Sequence, residues 1–409
     1  MSDSPSNSPS PDANQPPMVL PVRLPRGERE PRRDAQPGGF GRAFLVLLLL
    51  ASIGVNLLLC LGIYMFSGGS MSGSDDSLVL NEKHWSGAKS ARDKVAVIRV
   101  EGIILDEAMG YTHKQIEKAA TDTSVKAIVV RINSPGGTVT GSDDIHKRLT
   151  ELRDGNSPRY GTGGTAKPMV ASMGALAASG GYYIAMPAKH IYAERTTMTG
   201  SIGVYAAFIN VHKLAEDNGV KMEIIKAGDV KAAGSMFREL KPQERQMWQD
   251  SVDNSYAQFI SIVEDGRPAL KGMLTKDLER VDPQGKRLPD EVPARDKDGN
   301  IDLTAKAIPY KRKLADGGIF TAHEAKHYQL VDDIGFLEDA TKKAATMANL
   351  TDYEVIVYER PISLLSLFGG GMNQTQPDFA KFASAAGPRI WFLAPHAEFA
   401  GMLAIMGKR

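Results

Sequence analysis

Four short stretches of this chain carry residues whose types and spacing could do chemistry. The first is Asn133-Ser134-Pro135-Gly136-Gly137, at the end of the β-branched run AIVVRI and ahead of a helical pattern. A Gly pair there permits backbone approaches that side chains forbid, and an exposed N–H could stabilise developing negative charge. A plain strand-to-helix turn would use the same residues. The second, MGALAASGGYYIAMP from Met173, surrounds Ser179 with small residues and follows it with Gly180-Gly181. Room at the hydroxyl and a following amide suit a nucleophile and an oxyanion donor, although a close-packed helix start looks similar. The third, KAGDVKAAGSMFREL, holds Lys231 among Val230, Ala232, Ala233 and Gly234. A lysine stripped of water can act as a neutral base, but many surface lysines have such neighbours.

The fourth stretch, His323-Glu324-Ala325-Lys326-His327, fits H-E-x-x-H, in which two histidines bind zinc and the Glu activates water. Thr321 and Glu324 also form a T-x-x-E capping box, which gives that Glu a structural use. The helix ends near Gln329, and no third-ligand motif follows. The eight histidines otherwise offer no Ser/His/Asp arrangement.

These stretches need elements to hold them. From Lys94 onward, apolar runs of strand length recur at Val95 (VAVIRV), Ala127 (AIVVRI), Pro168 (PMVASM) and Met222 (MEIIKA). Each is too continuous to alternate, as expected where both faces of a sheet are covered. Helical patterns over 140–152, 175–186 and 242–264 lie between or after them, and the alternation predicts an α/β domain with a largely parallel sheet. Residues 156–168 read as a Gly-rich surface loop, and 281–313 as a polar insertion.

Ahead of this domain, residues 1–42 are rich in Ser, Pro, Gly and Arg and are expected to be a disordered cytosolic tail. Residues 43–66 carry no charge, and at about 1.5 Å per residue they can cross a hydrocarbon core of about 30 Å. No A-x-A pattern follows, and Leu59 disfavours lipoprotein processing at Cys60, so an uncleaved transmembrane helix is expected. Arg23, Arg26, Arg29, Arg32, Arg33 and Arg42 precede it and Asp75 and Asp76 follow, which predicts a cytosolic N-terminus and an extracytoplasmic domain at the bacterial inner membrane. Residues 67–93 read as a flexible linker, 94–350 as the folded domain, and 351–409 as a strand and an apolar tail. From Ser363 that tail suits an oligomer or membrane-surface contact. The only cysteine lies in the apolar segment, so no disulfide, thiolate zinc or catalytic thiol is expected outside it. With 49 basic and 48 acidic residues, no nucleic-acid partner is indicated.

Taken in order, NSPGG, ASGGYY, TGSIGV and VKAAGS-x-x-R resemble the SppA signal peptide peptidases, over about Val95 to Ala348. The resemblance implies a ClpP/crotonase-like spiral of ββα units, a serine peptidase without cofactor, and a homo-oligomeric ring. It also implies roles: Ser179 as nucleophile, Lys231 as general base, Ser201 as the serine that orients the lysine, and Gly137 with Gly180 as oxyanion hole. Gly318 and Ala322 depart from the family's usual arginine and glycine. Expected substrates are signal peptides and other extended apolar segments. The competing expectations are a zinc peptidase through His323 and His327, and a non-catalytic scaffold on the same fold.

Overall fold

The computed structural model describes residues 39–66, 80–106, 109–156, 159, 165–282, 284–302, 304–359 and 390–393. Residues 1–38 of the expected tail 1–42, the first part of the linker and most of the segment beyond residue 359 lie outside these residues. The chain divides into two units, 1–74 and 75–409. The first contains helix α1, Gly39–Phe66, a single helix of 28 residues. Its described side chains, 44–58, include Phe44, Leu45, Leu47, Leu50, Leu57 and Leu58, all exposed. Among the described residues no helix is long and apolar enough to cross a membrane.

The second unit is built on a mixed sheet. Strands β1 (Asn81–Gly87), β2 (Lys94–Glu101), β3 (Val125–Ser134), β5 (Met169–Ala178), β6 (His190–Ala193), β12 (Asp333–Ile334) and β13 (Glu354–Glu359) run in the order β1-β13-β2-β3-β5-β6-β12. Along this path every pairing from β13 to β12 is parallel and β1 is antiparallel; two further short strands, one of them antiparallel, branch from β5. The continuous apolar runs are explained by what covers them. Val95, Val97, Ala127, Val129 and Val170 pack against Ala340, Ala344 and Ala345 of helix α8 (Leu337–Met347). The alternate residues Ile98, Val100, Ile128, Val130 and Ile132 face helices α2 (Gly110–Thr121) and α3 (Val139–Asp154) through Ile116, Ile145 and Leu149. The polar edge strand β1 corrects the expected linker: residues 81–87 pair with β13 and belong to the sheet.

Two of the expected elements take another form. Residues 175–178, read as helix, complete β5, and the helix that follows, α4, is the single turn Gly180–Tyr183. MEIIKA forms no strand and pairs with none among the described residues, and Ile225 stands 96% exposed. It belongs to an arm running from strand β8 (Tyr205–Ala206) past helix α5 (His212–Asp217) to the long helix α6 (Pro242–Gly266). The insertion 281–313 contains small antiparallel pairings, among them β9 (Glu291–Val292) with β10 (Ile308–Pro309). Strand β4 (Gly136–Thr138), strand β8 and the tail strand β14 (Ile390–Leu393) form a second sheet in the order β4-β14-β8.

Candidate active site

Strand β5 leads directly into Ser179. Its first half pairs with β6, and after an irregularity beyond Met173 its second half pairs with β7 (Met198–Gly200), which β11 (Ile319–Thr321) flanks on its other edge. Ser179 then turns the chain with φ 56° and ψ −118°, a backbone state costly for any residue with a Cβ. Such a strained strand-to-helix turn is the form in which serine hydrolases present a nucleophile. The surroundings hold it in place: the Ser179 N–H donates to Gly200 O at 2.7 Å, and the Tyr183 N–H donates to Ser179 O at 2.9 Å. Tyr182 and Tyr183 pin α4 from below, donating their hydroxyls to Leu330 O and Asp143 Oδ1, each at 2.7 Å. Burial raises both phenols well above their ordinary pKa, so they stay neutral donors. Ser179 is 0% exposed, and its Oγ has no hydrogen-bond partner among the described residues. A buried hydroxyl left unpaired costs about 1–3 kcal/mol, which a merely structural serine would avoid.

The two candidate oxyanion glycines lie together. Ile104 donates its N–H to Gly136 O (2.9 Å) and accepts from the Thr138 N–H (2.8 Å). Those bonds occupy one edge of β4 and leave the Gly137 N–H and C=O pointing to the other, as alternation along a strand requires. That edge is paired with β14, where Phe392 stands opposite Gly137 and Leu393 opposite Gly136. Position 137 tolerates no side chain, since a Cβ there would come 1.8 Å from Ile104 O. A Cβ on Gly180 would sit 3.2 Å from Gly137 N and 2.3 Å from Ser142 Oγ, so the segment after the serine packs against the β4 turn.

Gly180→Ala tests this packing. The added methyl should push the two amides apart and lower kcat/KM by about 100-fold, the usual scale for one lost oxyanion donor. Because the tightest contact is a side-chain hydroxyl, Gly180→Ala/Ser142→Ala should recover part of that loss, as read in a double-mutant cycle. Equal activity in the two variants would show that the contact is irrelevant.

Ser201 stands next to Gly200, which accepts the Ser179 N–H. It has φ 52°, donates its hydroxyl to Gly317 O at 3.0 Å, and donates its N–H to Gly318 O at 2.8 Å. Lys231 is placed differently. It lies exposed in a series of turns on the arm, its N–H bonded to Gly228 O at 3.2 Å, and within one chain it makes no hydrogen bond to Ser179. Among the described residues a single copy brings together Ser179, Ser201, Gly137 and Gly180, and no hydrogen bond joins Lys231 to Ser179.

The H-E-x-x-H residues fall on helix α7 (Ala322–His327), six residues long. Glu324 is engaged in the capping box, accepting the Thr321 N–H at 2.9 Å and hydroxyl at 2.8 Å. Among the described residues no three His, Cys, Asp or Glu side chains gather as metal ligands. The most perturbed histidine is elsewhere: burial lowers His146 to about 4, with its ring edge-on to Tyr183. It stays neutral at physiological pH and packs behind the elbow.

Comparison with known proteins fits this geometry. Residues 164–277 match the model of Peptidase family S49. The Synechocystis sp. protein slr0021, itself named only provisionally as a protease, is 36% identical over 71% of this chain and 88% of its own length. The chain belongs to peptidase family S49. Protease 4 of Salmonella typhi is 33% identical over 68% of this chain, and the chloroplastic serine protease SPPA of Arabidopsis thaliana 34% over 66%. Those two proteins are much longer, and the match spans 38% and 34% of their lengths. As an S49 protein of the SppA type, the chain is a serine peptidase. A likeness to a mutant form of ClpP1 from Listeria monocytogenes, 15% identical over 60% of this chain and 94% of that chain, has a TM-score of 0.31, too low to carry a fold assignment.

Proposed function

We propose that this S49 peptidase is a membrane-anchored endopeptidase in which Ser179 is the nucleophile and Lys231 the general base. The observation that carries the reading is the buried, unpaired Ser179 hydroxyl on a strained turn beside Gly137 and Gly180. In the proposed reaction the deprotonated Lys231 amine takes the Ser179 Oγ proton, and the oxygen attacks a peptide carbonyl. The resulting oxyanion is held by the Gly137 and Gly180 amides. The lysine returns the proton to the leaving amine, and water then releases the acyl group. Ser201 would hold the lysine from the side of Gly317.

The exposed setting of Lys231 favours a dyad completed by a neighbouring copy. The arm that bears it also exposes Ile209, Leu214, Val220, Met222 and Ile225, an apolar surface suited to cover by another subunit. A ring of identical subunits closes such a head-to-tail contact. The succession of sheet strand, second-sheet strand and helix in β3-β4-α3 is consistent with one ββα unit of a ClpP/crotonase-like spiral.

The tail strand β14 supports a substrate class. It adds antiparallel to β4 at Gly136–Thr138 and to β8, so an extended peptide can bind beside Gly137 through main-chain hydrogen bonds. Signal peptides left in the membrane, and other extended apolar segments, meet that requirement. The anchor rests on the sequence alone, where the run 43–66 carries no charge, and the arginines ahead of it support an extracytoplasmic domain.

The test is labelling of the assembled protein with a fluorophosphonate, alongside cleavage of an internally quenched apolar peptide. Labelling should map to Ser179, and hydrolysis should continue in the presence of a chelator. A folded oligomer that takes no label would favour the scaffold, and activity abolished by chelation the zinc site.

A further inference from the structure

The turns around Lys231 are held by few bonds of their own, and these are local: Lys231 N–H to Gly228 O, Ala233 N–H to Val230 O and Ser235 N–H to Ala232 O. Two connections of another kind reach the segment: Val211 donates its N–H to Met236 O at 2.7 Å, beyond the lysine, and Arg238 reaches back to the residue beside it. Arg238 donates Nη2 to Ala232 O, the carbonyl next to Lys231, and Nη1 to Glu239 O at 3.0 Å. The same guanidinium forks onto Glu244, with Nη2 to Oε1 at 2.7 Å and Nη1 to Oε2 at 2.8 Å. Glu244 is 1% exposed and also accepts the Lys241 N–H at 3.1 Å. The Arg238 fork, helped by that N–H, holds its carboxyl down to about 2, so the pair stays ionised throughout the neutral range. Glu244 stands in the first turn of α6, whose far end is fixed in the core by Phe259 and Val263.

We propose that Arg238 is a positioning residue for catalysis, carrying the rigidity of α6 through Glu244 to the Ala232 carbonyl and so fixing where the Lys231 amine is presented. The proposal rests on the reading of Lys231 as general base. A guanidinium suits the task because its planar fork can hold a carboxylate and a carbonyl at once, whereas an ammonium is a single point of charge. A pair kept only for stability could be exchanged for apolar residues of similar size at little cost. Positioning could not, because the bond to Ala232 O would be lost.

Three variants are assayed as the full-length oligomer with an internally quenched apolar peptide: Arg238→Lys, Arg238→Met/Glu244→Leu, and Lys231→Ala. Arg238→Lys keeps a cation beside Glu244, and the apolar pair gives up the Lys241 cap but leaves no buried carboxylate unpaired. Both should melt and assemble like the parent, with kcat lowered at least about tenfold and KM within about threefold, as a displaced base predicts. The acid limb of their kcat/KM–pH profiles should also shift. Parental kcat and an unmoved pH profile in both, with Lys231→Ala inactive, would overturn the proposal and leave the base assignment standing. Lys231→Ala retaining hydrolysis would remove the base assignment, and this proposal with it.

Discussion

Ser179→Ala should lower kcat/KM by at least about 10⁴-fold while leaving the protein as stable as the parent or slightly more so. The two halves of this expectation come from one observation. The hydroxyl is buried with no partner among the described residues, so removing it deletes an unsatisfied polar group and leaves only a small void. Alanine shares serine's Cβ, so the positive φ is no more strained than before. A melting curve and a peptidase assay on the same preparation separate loss of chemistry from loss of fold. Residual hydrolysis above about one hundredth of the parent would require another nucleophile, and the assignment would fall.

Lys231→Ala should be comparably inactive alone, yet regain activity when mixed with Ser179→Ala subunits. In a ring whose sites each take the serine from one copy and the lysine from the next, random equimolar assembly leaves about one quarter of the sites with both groups intact. About a quarter of parental activity is therefore expected after the two inactive proteins are dissociated and reassembled together. If each copy supplied both groups, every site in the mixture would lack one, and the activity would stay at background. This outcome bears directly on the exposed setting of Lys231 and the apolar arm that carries it.

Much of this architecture was legible in the residues because burial on both faces leaves a simple signature. The runs at Val95, Ala127 and Pro168 are uninterrupted, and each became a central strand clad on two sides. The elbow was harder to read. Ala175–Ala178 has helical composition but pairs as strand, since tertiary pairing with β3 and β7 outweighs the propensity of small residues. The polar sequence of β1 hid an edge strand for a related reason: one flank faces solvent, so no apolar pattern is needed. MEIIKA misled in the opposite sense, because its apolar surface is unpartnered in one copy. The serine, the glycine pairs and Ser201 were each placed by motif, and the fold brings them into one neighbourhood. The Arg238–Glu244 fork has one signal in the chain, the arginine closing VKAAGS-x-x-R, while no motif marks its carboxylate partner.

The pairing of β14 with β4 bears on how tightly any peptide can bind. A ligand tethered to its own receptor competes as though present at a fixed local concentration. Under the proposed mode of binding, incoming peptides would displace it, and their apparent dissociation constants would rise in inverse proportion to the fraction of time the slot is free. Peptides that make only backbone bonds gain nothing over the resident strand, while those with side chains better matched to the cleft do. Selectivity at this site would then be measured against the chain's own terminus as the internal standard.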